Sequence, residues 1–296
     1  MSTIFTGDFA KLTPCNDVAR QLFSETLIYI EKLDTFHIQL VARAAGEHAE
    51  HSSDAVEDST DYDTGSDNPR RGTSPRTIEN PGHFVLSFNQ DRQPQTPHLG
   101  WRVGKGTSKF GASRGVDFLL SKPGDKLSRS LASTHMLFRF NPRSGFLLLV
   151  AGSPKSPVKF RNGRVWESLA FQEQRLMHQP VTVLRAGSCD YELEYTVSQE
   201  HRDHFLRARD QFFQSSVDTS NLLESRLFRY LPGDSGVLRG RFLEFETQGS
   251  GTFGWVSQGV DTFNGDPVAI KELRITDSRV RATVMEEVDF GRQFSV

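Results

Sequence analysis

The sequence predicts a multidomain α+β protein, with a β-sandwich through its middle and a smaller antiparallel sheet plus one helix at its C-terminal end. Three observations carry that expectation. Residues 82–196 alternate short apolar runs with glycine, proline and asparagine turns, the texture of many short strands. Residues 46–81 are acidic, rich in Ser and Asp, and almost free of large apolar side chains. From residue 241 onward the pattern becomes strand, glycine-rich turn, strand, strand and helix.

Near the N-terminus, Val18, Leu22, Phe23, Leu27 and Ile30 recur at helical spacing, with Asn16 or Asp17 as the cap. Phe36, Ile38 and Leu40 alternate with His37 and Gln39, which predicts a short strand. Residues 1–45 therefore read as an N-terminal helix and strand segment. Residues 46–81 cannot bury enough apolar surface to offset the entropy of ordering, so a disordered acidic linker is expected. In the sandwich, strands are expected at 83–88, 99–103, 116–120, 136–140, 146–150, 158–160, 181–185 and 191–196. Pro123-Gly124, Asn141-Pro142, Ser144-Gly145 and Asn162-Gly163 supply turns between them. Residues 197–240 read as a helical linker. Its first part, 198–213, is amphipathic, with Phe205, Ala208 and Phe212 on one face.

Composition narrows the function classes. The net charge of −2 averages segments of opposite sign. Residues 82–196 hold 16 Lys/Arg against 8 Asp/Glu, a surplus of +8 that favours acidic or phosphorylated partners. Cys15 and Cys189 make neither a disulfide framework nor a metal spacing, which suits a reducing compartment. The N-terminus lacks a basic stretch followed by an apolar one. The longest apolar run, residues 146–151, is too short for a bilayer. The expectation is an intracellular protein, cytoplasmic or nuclear, with neither membrane nor nucleic acid among its partners.

The strongest motif is Gly249-Ser250-Gly251-Thr252-Phe253-Gly254-Trp255-Val256, followed by Val268-Ala269-Ile270-Lys271. A lone glycine triplet of this kind is weak, because dinucleotide-binding folds carry one too. A dinucleotide fingerprint needs a helix straight after the glycines, whereas residues 255–260 alternate like a strand. The Asn264-Gly265-Asp266 turn then leads into a second strand bearing Lys271. Both tetrapeptide and order resemble the opening of a serine/threonine protein kinase domain, over about residues 243–294. The resemblance implies ATP as the bound cofactor. The glycines let the hairpin backbone approach the phosphates, Val256 packs on the base, Ala269 lines the adenine slot and Lys271 neutralises phosphate. It also implies an acidic partner for Lys271 on the next helix: Glu287 first, Glu286 second. The plainer alternative is a surface helix with two solvated glutamates.

Two tripeptides imitate later kinase motifs. His201-Arg202-Asp203 precedes the glycine loop, and Asp289-Phe290-Gly291 lies 18 residues after Lys271, inside the expected helix. Both are read as chance. No catalytic loop, magnesium loop or substrate platform follows Lys271 in these 296 residues. The resemblance therefore implies an N-lobe truncated before the catalytic loop and inactive as it stands. It assigns neither catalytic residue nor metal ligand, because magnesium would need the missing lobe.

Residues 83–196 resemble a forkhead-associated domain, a β-sandwich whose loops bind phosphothreonine peptides. The residues that carry this are Gly111, His135 and Asn162-Gly163. The family's arginine falls at Ala112, its serine at Ala132 and its first Asn-Gly at Pro157-Val158. Those departures remove the guanidinium and hydroxyl that hold phosphate. Ser113, Arg114, Arg129 and Ser133 are the nearby candidates to replace them, and His135 is expected to support the loop. A forkhead-associated domain ahead of a kinase domain is the order of the checkpoint-type serine/threonine kinases. The competing reading is a phosphopeptide-binding or scaffolding adaptor with a vestigial kinase lobe.

Overall fold

The computed structural model describes residues 6–33, 37, 40–43, 81–107, 115–216, 229–231, 234, 236–251, 254–274, 281–282 and 285. The acidic stretch 46–80, Ser113, Arg114, Thr252, Phe253, Glu286, Glu287 and the Asp289-Phe290-Gly291 tripeptide lie outside them. The chain opens with strand β1 (Asp8–Pro14), helix α1 (Asp17–Leu33) and strand β2 (Val41–Arg43). Next come β3 (Gly82–Ser87), β4 (Trp101–Gly104), β5 (Phe118–Leu119), β6 (Met136–Phe140) and β7 (Leu147–Ala151). The series continues with β8 (Val158–Asn162), β9 (Val165–Leu169), β10 (Gln174–Leu176), β11 (Val181–Ala186) and β12 (Cys189–Tyr195). Helix α2 (Arg202–Ser216) precedes β13 (Val237–Arg239), β14 (Phe242–Gly251), β15 (Gly254–Asp261) and β16 (Pro267–Leu273).

Two sheets form the larger body, a seven-stranded one in the order β2-β3-β1-β12-β11-β8-β9 and a five-stranded one in the order β10-β7-β6-β4-β5. They enclose one aromatic core. Phe9 of β1 sits at its centre, stacked on Phe88 at 4.5 Å and within 5.5 Å of Trp101 and 5.4 Å of Phe140. Each such ring removed from water contributes about 1.5–3 kcal/mol, and the ring pairs add to that.

Several expectations are corrected. The division that set residues 1–45 apart from 82–196 does not hold. β1 lies inside the seven-stranded sheet, with Leu12 opposite Leu193 on one side and Phe84 on the other. The reason is burial: Phe9, Ala10 and Leu12 are almost fully covered, and only the sandwich interior offers that cover. The helix at 17–33 forms as expected, with the Asn16 side chain accepting from the Ala19 N–H at 3.0 Å. Of the strand expected at 36–40 only two residues are described, and neither is extended: His37 is helical and Leu40 is in a turn, with pairing beginning at Val41. His37 is instead buried, with its ring Nε2 3.0 Å from the Val116 carbonyl. α2 is also more than a linker, because Phe205, Phe212 and Phe213 fill the same core as Phe9.

The C-terminal sheet, in the order β13-β14-β15-β16, docks on the outer face of the five-stranded sheet. Phe146, Leu148, Val150 and Leu176 meet Leu243 and Val260 in a second apolar cluster, flanked by Tyr230 and Phe245. Polar clamps hold the edge. The Leu176 N–H donates to the Thr262 carbonyl at 2.8 Å, and Asn141 Nδ2 donates to the Asn264 carbonyl at 2.9 Å and to Asp266 Oδ1 at 3.0 Å.

Candidate functional site

β14 and β15 form the two arms of an antiparallel pair that converge at the glycine triplet. Gly249 faces Val256, Ser250 faces Trp255 and Gly251 faces Gly254 across the ladder. The glycines have different physical jobs. At Gly254 φ is +153°, and a Cβ there would lie 1.8 Å from the Glu272 carbonyl oxygen, so the hairpin itself requires glycine. Among the described residues, a Cβ at Gly249 would meet nothing within 4 Å. No packing demand explains that glycine; what it provides is bare, approachable backbone.

β16 continues the surface. Val256 pairs with Lys271, and Gln258 pairs with Ala269. Because directly opposed residues in a ladder project to the same side, Val256, Ala269 and Lys271 share one face of the β15–β16 pair. All three are exposed. Trp255 lies on the opposite face, opposed to Glu272, with the Arg274 guanidinium 5.1 Å from its ring centre. The shared face is not wholly open. Val260, four residues along β15 from Val256 and so on the same side, is fully buried against the sandwich. The sandwich covers one end of the face and leaves Val256, Ala269 and Lys271 at the other. The expected partner of Lys271, Glu287, lies outside the described residues.

A second candidate site lies among the loops of the sandwich. Lys105 and Gly106 follow β4, Lys122 to Lys126 follow β5, and the helical turn Leu127–Ser130 carries Arg129. With Ser133, these residues line a cleft of about 350 Å³. Sequence reasoning nominated Arg129 and Ser133 but missed Lys105, Lys122 and Lys126, which the loops bring beside them. Their signal was only the local excess of lysine. Lys122 is engaged by Glu25 at 2.5 Å. Lys105, Lys126 and Arg129 form no ion pair with another described residue.

Backbone hydrogen bonds tie one wall of the cleft together. The Lys105 N–H donates to the Ala132 carbonyl at 3.1 Å, and the Gly106 N–H donates to the Ser133 carbonyl at 3.0 Å. His135 stands beneath this loop, its Nδ1 accepting from the Ala132 N–H at 3.1 Å. Burial pushes the His135 imidazole down to about 4, so it is neutral at neutral pH. Asn162 does not reach the cleft: it ends β8, where its side chain donates to Glu167 at 2.8 Å.

The His201-Arg202-Asp203 tripeptide has a local structural role. Arg202 pairs with Asp234 at 2.7 Å and donates to the Arg229 carbonyl, while Asp203 meets Arg229 at 3.1 Å. Among the described residues no group of three His, Cys, Asp or Glu side chains could hold a metal ion, and no helix is long and apolar enough to cross a membrane. No family model matches the sequence, and no curated protein matches it.

Proposed function

We propose that the C-terminal sheet is a protein-kinase-type nucleotide-binding half-site, in which ATP lies along the exposed part of the β15–β16 face. The observation that carries this reading is the placement of Val256, Ala269 and Lys271 on one face, beside the bare backbone of Gly249. Val256 and Ala269 would hold the base, and Lys271 and the hairpin amides would hold phosphate. Binding and charge neutralisation are the whole of the proposal. Phosphoryl transfer also needs an aspartate to orient the acceptor and a metal between the phosphates, and neither is assigned to these residues.

Isothermal titration of the full chain with ATP tests it. Binding is expected with a Kd between micromolar and millimolar. Lys271→Met should weaken it at least tenfold while leaving the melting temperature within about 2 °C, since Lys271 is exposed. Absence of heat at millimolar ATP, or a large fall in melting temperature on Lys271→Met, would sink the assignment.

The cleft of Lys105, Lys122, Lys126, Arg129 and Ser133 supports a second reading, a forkhead-associated-like adaptor that binds phosphorylated peptides. A two-sheet sandwich with its positive charge gathered on loops at one end is what that reading needs. A phosphothreonine peptide array would separate the readings, because Arg129→Gln should weaken peptide capture and leave ATP binding alone.

A further inference from the structure

A cavity of about 290 Å³ lies where the C-terminal sheet meets the sandwich. Its apolar wall is Phe160, Met177 and Leu238, and its rim is Arg175, His178 and Phe263. The Arg175 guanidinium lies 4.0 Å from the Phe263 ring centre and 5.6 Å from that of Phe160, so it is fixed by two aromatic faces. The Arg241 guanidinium lies 4.6 Å from the Phe263 ring centre.

Most of the polar wall is satisfied. Arg175 meets Glu167 at 3.3 Å, Asn162 donates to Glu167 at 2.8 Å, and Gln179 donates to Asn162 at 3.2 Å. One group breaks the pattern: Arg175 Nε is buried and finds no hydrogen-bond partner among the described residues. Leaving a buried donor unmade is costly, and Arg175 lines the cavity. The charges around it are also unequal. Arg161, Arg175 and Arg241 line the cavity with Glu167, and Asp261 answers Arg241, so three positive charges face two negative ones.

We propose that this cavity binds a small planar organic anion of the aromatic carboxylate class. Its ring rests among Phe160, Met177 and Leu238, and its carboxylate accepts a hydrogen bond from Arg175 Nε. The ligand touches β8, β10 and β13 together, so its binding also fastens the C-terminal sheet to the sandwich. Nothing in this proposal depends on nucleotide or phosphopeptide binding.

Benzoate is the probe, followed by amide shifts in the NMR spectrum of the full chain. Saturable shifts at Leu176, Thr262 and Phe263 are expected, with a Kd on the order of 0.1–1 mM for a ligand of this size. Benzamide tests the need for charge and acetate the need for the ring; each should bind at least tenfold more weakly. Arg175→Gln should lose at least tenfold in affinity. Leu238→Trp fills the cavity from a position that is 48% exposed, so it should abolish binding in a folded protein even if Arg175→Gln destabilises the sheet. The proposal is overturned if benzoate shifts do not saturate by 20 mM, if benzamide binds as well as benzoate, or if Leu238→Trp binds as the parent does.

Discussion

His135 makes the sandwich acid-labile in a defined window. The side chain is fully buried, and its imidazole titrates at about 4 rather than near 6.5. Between those two values the unfolded chain binds a proton that the folded chain refuses, so stability rises with pH across the window and falls as pH drops through it. With those values the loss from this one group between pH 7 and pH 5 is about 2 kcal/mol, growing to about 3 kcal/mol at pH 4. His83 and His178 are also pushed down by burial and add to the same trend. The assay is urea unfolding of the parent and of His135→Gln at pH 7, 6 and 5. Glutamine lowers stability at every pH, but the gap between parent and variant should shrink by about 2 kcal/mol from pH 7 to pH 5. A constant gap would refute the argument, because it would mean that His135 titrates normally in the folded protein.

Two further predictions concern the hairpin and the core. Gly249→Ala should change stability by less than about 0.5 kcal/mol and weaken nucleotide binding, whereas Gly254→Ala should destabilise by about 1–3 kcal/mol through its clash with the Glu272 carbonyl; thermal melts and ATP titration read both. Phe9→Ala should cost about 3–5 kcal/mol by emptying the centre of the aromatic core, and a fragment starting at residue 82 should fail to fold because it loses β1 from between β3 and β12; circular dichroism of each decides.

Much of the middle of the chain was legible because its strands are short, alternate with turn residues and pair with near neighbours. The expected strand at 136–140 coincides with β6, the one at 181–185 lies within a residue of β11, and the one at 191–196 lies within two residues of β12. β1 escaped notice. Asp8-Phe9-Ala10-Lys11-Leu12 is a brief alternation, and its partners lie at residues 84–87 and 191–195. Local patterning carries no information about so distant a pairing. β9 and β10 were missed for a different reason. Residues 165–169 and 174–176 are partly exposed and polar, so burial did not write an apolar pattern into them.

For the glycine hairpin, the two flanking strands and the lysine could be read from the chain alone, because alternation and glycine spacing are local properties. Which residues share a face, that Gly254 is needed for backbone clearance while Gly249 is not, and that the sandwich covers the Val260 end follow from the folded arrangement. It also gathered Lys105, Lys122, Lys126 and Arg129 into one cleft and enclosed the cavity around Arg175 and His178. These depend on ladder register and on contacts between residues far apart in sequence. No window of the chain encodes them alone.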